Sequence, residues 1–186
     1  KVEKHSGSSE FITKGKKLLR YVGKNEKVII PNSVGNGVGL EEIGDFAFYG
    51  TKLLEVTFPD SIKTIGSGAF METGLEGFSF KNEDVNRAAL RTVGEYAFRN
   101  NKLKEVKLPE LAHIIQKRAF ENNELESLLL GKYTGHIGDY AFTGNKLSEL
   151  LIYGEIEEIG KAAFMNNRLK EVKIMPKPKE RKHGLE

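Results

Sequence analysis

Cysteine is absent from the 186 residues. Neither a disulfide framework nor a thiolate metal site can therefore be built, while the redox compartment stays open, since a cysteine-free chain is stable in either. Long apolar runs are also lacking: nothing approaches the roughly 18 uninterrupted apolar residues of a membrane-spanning helix, which excludes a helical span in this sequence. Charge of one sign is scarcely in excess, with 29 Lys and Arg against 26 Asp and Glu. Part of the surplus sits after Met175, where Lys177, Lys179, Arg181 and Lys182 face Glu180 and Glu186, so the body carries about +1. No basic face is implied, and nucleic acid is not an expected partner. The chain opens at Lys1 rather than Met, so any signal peptide is expected outside it and the sequence reads as a fragment.

What is present is a repeat. The dipeptide Ala-Phe occurs at Ala47-Phe48, Ala69-Phe70, Ala97-Phe98, Ala119-Phe120, Ala141-Phe142 and Ala163-Phe164, at steps of 22, 28, 22, 22 and 22 residues. A fixed period of this size is the signature of a solenoid, so one elongated body is expected rather than two domains. In the frame of residues 103–124, apolar residues fall at Leu103, Val106, Leu108, Ile115, Ala119 and Phe120, and the same frame fits the other units, with a last half-unit at Leu169, Val172 and Ile174. The V-x-L alternation predicts a short strand with one side inward, closed by Pro59 or Pro109 where a missing N–H is tolerated. A second strand-like piece, I-x-x-I-G at 62–66 and 156–160, is expected to turn on a glycine of positive φ. Ala-Phe then predicts one helical or 3₁₀ turn, ended by Asn at 100–101, 122–123 and 166–167; these Asn are read as left-handed corners that also bond the coil backbone. Ala suits a tight passage between coils, and Phe fills the coil centre.

Residues 1–15 are polar and Gly/Ser-rich and read as a flexible lead-in. Leu18–Val22 and Lys27–Ile30, separated by residues 23–26, predict a hairpin that covers the open end of the first coil. The single-domain solenoid is placed at 16–175, and the Pro-containing basic tail at 176–186 reads as a linker. Two units carry six extra residues each, in NSVGNGVGLEE and KNEDVNRAALRT, both after the first strand. These are expected to project from one edge of the solenoid, as binding loops or as tolerated surface loops.

The pattern L-x-x-V-x-L-P-x-x-I-x-x-I-G-x-x-A-F-x-x-N resembles the BspA-like, treponemal-type leucine-rich repeat, over roughly residues 18–175. Departures are local: the third position after Phe, where many members carry Cys, holds Thr51, Thr73, Asn101, Asn123, Asn145 and Asn167; Gln116 stands for the usual Gly; Gly131, Tyr153 and Met175 stand for the strand-ending Pro. The resemblance implies an α/β repeat, a right-handed leucine-rich-repeat solenoid of about six coils of 22 residues with short parallel strands on the concave face, helical or 3₁₀ turns elsewhere and an N-terminal capping hairpin. It also implies a bacterial cell-surface or secreted protein used in adhesion. Fold does not fix function.

No catalytic set is legible. His5, His113, His136 and His183 lack a further ligand at metal-site spacing, although His113 and His136 fall in consecutive coils; no metal, cofactor or active site is expected. The glycines of NSVGNGVGLEE match no phosphate-binding fingerprint. The outward positions of the concave strands are the more informative ones: Glu105, Lys107, Glu149 and Lys173 alternate in charge around two neighbouring leucines, Leu129 and Leu151, which form the candidate contact patch unless a flanking segment covers them. Glu83 and Asp84 mark the second edge loop. Six or seven strands would give a strip of roughly 30 Å, suited to a protein or matrix ligand rather than a small molecule. The expected function is a non-enzymatic protein-binding module, with a spacer or targeting module attached to another domain as the alternative.

Overall fold

The computed structural model describes residues 10–34, 37–154 and 156–175; residues 1–9 of the lead-in, His5, His183 and the 176–186 tail lie outside them. The chain winds as a β-solenoid of about seven coils, and each full coil lays one strand in each of two parallel arrays. One array is made of two-residue strands at Glu42–Ile43, Thr64–Ile65, Thr92–Val93, Ile114–Ile115, His136–Ile137 and Glu158–Ile159, paired in sequence order. Their inward residues Ile43, Ile65, Val93 and Ile115 are fully buried, as the apolar spacing predicts.

The Ala-Phe pairs join the coils twice over. The Phe48, Phe70, Phe98, Phe120 and Phe142 N–H groups each donate to the Ala carbonyl of the next coil, all at 2.8 Å. Their rings form a continuous stack, with centroid steps of 4.6, 5.3, 5.1, 5.2 and 5.3 Å from Phe48 to Phe164. Offset stacks at such spacing are favoured by the ring quadrupole and exclude water from the coil centre.

The helical turn expected at Ala-Phe is replaced by a pair of tight turns. Residues just before each Ala, Phe46, Gly68, Tyr96, Arg118, Tyr140 and Ala162, have φ between +54° and +58°. A left-handed residue interrupts any right-handed helix, so the bonds there are isolated i to i+3 turns, such as Ala119 N to Gln116 O and Glu121 N to Arg118 O, each 3.2 Å. A second left-handed residue follows two places after Phe; Asn100, Asn122 and Asn166 fill it, as expected for these corners. The residue after this corner bonds the backbone: the Asn101, Asn123, Asn145 and Asn167 side chains each donate to the carbonyls of two successive Phe residues.

The glycines of I-x-x-I-G serve a different purpose from the expected one. Gly66, Gly94, Gly138 and Gly160 are absent from the residues with positive φ; they are required by proximity. A Cβ on Gly94 would lie 2.7 Å from the carbonyl carbon of Gly66 and 2.8 Å from Ile65 O. Gln116 occupies the same column without loss of pairing on either side, and its Oε1 accepts from Glu95 N–H at 3.1 Å. An alanine has no such bond to return, so Gly94→Ala is expected to cost roughly 1–3 kcal/mol by forcing the coils apart, measured as a shift of the denaturation midpoint at constant m-value.

The N-terminal cap is a hairpin, displaced from its predicted place. Phe11–Lys14 pairs antiparallel with Lys17–Tyr21, and Leu18 then pairs with Ile43, so the hairpin extends the two-residue array. Part of the expected lead-in is thus a strand. Tyr21 takes the role of a first spine ring: its N–H donates to Ala47 O at 2.8 Å, and its ring lies 5.1 Å from Phe48 and 5.2 Å from Phe11. Lys27–Ile29, expected in the hairpin, is instead the first concave strand, parallel to Glu55–Phe58.

Candidate functional site: the concave sheet

The concave array is two sheets rather than one. Lys27–Ile29, Glu55–Phe58 and Gly77–Phe80 form a three-stranded section; Glu105–Lys107, Ser127–Leu129, Glu149–Tyr153 and Glu171–Met175 form a four-stranded one. No strand pairing joins them among the described residues. The interruption falls at Phe78, whose ring turns toward the spine and lies 5.0 Å from Phe98 and 5.8 Å from Phe58. The expected strip of roughly 30 Å is therefore divided, and the longer unbroken section spans about 14 Å between its outer strands.

That section holds six of the predicted contact residues in register. Lys107 is opposite Leu129, Leu129 opposite Leu151, and Leu151 opposite Lys173, so the four form one row across the sheet. The next row contains Glu105 opposite Ser127 and Glu149 opposite Glu171. Leu129 is 38% exposed and Leu151 half-buried, while Leu128 and Leu150 between the rows face the core.

The charges at both ends are tied along their own strands: Lys107 to Glu105 at 3.0 Å and Lys173 to Glu171 at 3.0 Å. The bond to Glu171 holds the Lys173 ammonium above its ordinary value. Both pairs are solvent-exposed and add little stability. Their effect is on shape: each lysine is held beside its glutamate, leaving the leucines as the apolar centre of a polar-rimmed patch.

The structure does not bring Glu83 and Asp84 to this patch. They belong to the second inserted loop, where the Asp84 side chain accepts from Asn86 N–H at 3.1 Å and caps a 3₁₀ turn at Val85–Arg87. The first insertion forms a small antiparallel ribbon, Ser33–Val34 with Val38–Gly39. Lys81 of the second loop donates to Asn32 at the foot of the first, at 3.3 Å, so the two meet along one edge.

Two features escaped the sequence reading. Ile29 is 73% exposed and shares a row with Thr57 and Ser79; alignment of Lys27-Val28-Ile29 with Glu55-Val56-Thr57 would have found it. The coil register also brings Glu157 to the two histidines, with ligand atoms of His113, His136 and Glu157 all within 4.8 Å of one another. No helix among the described residues is long and apolar enough to cross a membrane.

Comparison with known proteins agrees with this geometry. A leucine rich cell surface protein of Faecalibacterium prausnitzii A2-165 is 20% identical with a TM-score of 0.57, the match covering 90% of this chain and 51% of that one. A leucine rich repeat protein of T. pallidum is 23% identical with a TM-score of 0.53, covering 90% and 65% respectively. This chain thus spans about half of the first structure and less than two thirds of the second, and at these identities the likeness is one of fold. No match was found among the curated proteins. The family model for the BspA type leucine rich repeat region matches in six copies over residues 15–89 and 85–182. With the Ala-Phe spine, the paired coil strands and that match over nearly its whole length, the chain belongs to the BspA-type leucine-rich repeat family.

Proposed function

We propose that the solenoid is a protein-binding module of a bacterial cell-surface or secreted protein, and that a protein or matrix ligand docks on the four-stranded concave section. The observation that carries this reading is the Lys107–Leu129–Leu151–Lys173 row, where apolar residues at outward positions of the sheet are flanked by self-paired charges. The repeat itself consumes the inward residues, so specificity rests on what varies outward. A surface location is supported by the likeness to the Faecalibacterium cell surface protein. The non-enzymatic reading is supported by the fold family, whose leucine-rich solenoid typically serves as a binding scaffold.

Leu129→Glu combined with Leu151→Glu is expected to lower affinity for a ligand recovered from matrix, mucosal or bacterial-surface extracts by about 10-fold or more. Stability should change by about 1 kcal/mol or less, because neither side chain is part of the core. Affinity is measured by surface plasmon resonance and stability by thermal denaturation. If binding survives that pair but is lost on replacing Glu83 and Asp84 by Ala, the edge loop is the site.

A further inference from the structure

We propose that His113, His136 and Glu157 form a surface site for one divalent transition-metal ion, zinc above all, with one coordination position open to an outside ligand. The three residues come from three successive coils. His113 precedes the strand Ile114–Ile115, His136 begins the strand His136–Ile137, and Glu157 precedes Glu158–Ile159. They converge because the position between His113 and Glu157 in their column is Gly135. A Cβ there would meet the His113 ring, lying 2.9 Å from Nδ1 and 3.1 Å from Nε2. The missing side chain is the trough in which the imidazole lies, and it lets His113 reach across a coil toward Glu157.

The arrangement around each imidazole is that of a metal ligand rather than a chance neighbour. His113 Nδ1 is 2.7 Å from Tyr133 O. A carbonyl only accepts, so Nδ1 carries the proton and Nε2 presents its lone pair. His136 has a carboxylate at each nitrogen: Glu157 Oε2 is 3.2 Å from Nε2, and Glu158 Oε2 is 3.5 Å from Nδ1. Ligating histidines usually donate their second N–H to a backbone carbonyl or a carboxylate, which fixes the tautomer and orients the ring. Tyr133 O and Glu158 supply one of each.

One of the three donor separations already fits a small tetrahedral ion. Bonds of about 2.0–2.1 Å to nitrogen and oxygen imply donor separations of about 3.3 Å, and His136 Nε2 with Glu157 Oε2 already stands at 3.2 Å. The other separations lie within 4.8 Å, so closing on an ion asks the two half-buried imidazoles to approach by a small rotamer adjustment, with Glu157, whose side chain is 63% exposed, following His136. Two imidazoles and one carboxylate select zinc and its transition-metal neighbours over magnesium or calcium, which prefer all-oxygen shells. The site lies on the array of two-residue strands, apart from the concave row.

The test is calorimetric titration of zinc chloride into the full chain with His5→Gln and His183→Gln, so that His113 and His136 are the only histidines. One zinc per chain is expected. Cobalt(II) should give the intense visible bands of a tetrahedral site, and magnesium no heat. His113→Gln or His136→Gln should each weaken zinc binding by at least about 10-fold, and Gly135→Ala should weaken it by displacing the His113 ring. Thermal melts without metal check that each variant is folded. Absence of stoichiometric zinc binding, or binding that the folded His113→Gln/His136→Gln double variant retains, overturns the proposal.

Discussion

Replacing Phe120 by alanine is expected to lower stability by about 3–5 kcal/mol, the range for deleting a fully buried aromatic ring. Phe120 is 0% exposed. It lies between Phe98 and Phe142 at 5.1 and 5.2 Å with ring planes 6° and 3° from parallel. The variant loses two stacking contacts as well as buried area, each worth about 0.5–1.5 kcal/mol. For a chain of this size the melting temperature should fall by roughly 6–20 °C. Phe164→Ala is the internal control: Phe164 stacks on Phe142 alone among the described residues and is only partly buried, so its loss should cost less. Because each coil touches only its neighbours, the damage should be concentrated in adjacent coils, and hydrogen exchange should show faster opening around Phe98 and Phe142 than around Phe48.

Asn101→Ala is expected to be comparably severe, at about 3–5 kcal/mol, for an electrostatic rather than a packing reason. Asn101 is 7% exposed. Its Oδ1 accepts from the N–H groups of Thr73, Gly74 and Leu75 at 3.2, 2.9 and 3.0 Å, while its Nδ2 donates to Phe70 O and Phe98 O at 2.7 and 3.0 Å. Alanine strands these backbone groups in a site that water reaches poorly, at about 1–3 kcal/mol for each one left fully unpaired; partial rehydration limits the sum. Asn123 makes the equivalent two donations one coil on, to Phe98 O and Phe120 O, but accepts only from Leu103 N–H, at 3.1 Å. Asn123→Ala should therefore cost less than Asn101→Ala, a ranking read from the two denaturation midpoints. Asn101→Asp restores the acceptor but sets a carboxylate against two carbonyls, and it should not rescue the variant.

The architecture was legible because its determinants repeat. Six Ala-Phe pairs in register fix the coil length, and buried residues such as Val106 and Ile115 fall where alternation places them. The six outward residues from Glu105 to Lys173 were equally legible, since side chains alternate along a strand. What escaped depended on single substitutions and on neighbours one coil away. Tyr21 has no alanine before it, yet it opens the stack. Phe78 fits the apolar frame, yet the concave array breaks beside its strand. The I-x-x-I-G glycines suggested a conformational role, whereas Gly94 serves a close backbone approach visible only with the adjacent coil in place. Glu157 lies 44 residues beyond His113, two coil lengths, with Gly135 midway; written along the chain the three look unrelated, and written in coil columns they align.

Docking of the ligand on the concave row is open to a direct test by site-specific photocrosslinking. A photoreactive residue is placed singly at Leu129, Leu151, Glu83 or Tyr49, the last exposed in the turn after Phe48 and outside the concave strands, in otherwise native protein, and each variant is irradiated with the recovered ligand. Crosslinks from the Leu129 and Leu151 positions, with none from Tyr49, are the expected result. Crosslinks from Glu83 or Tyr49 but from neither leucine position would contradict it.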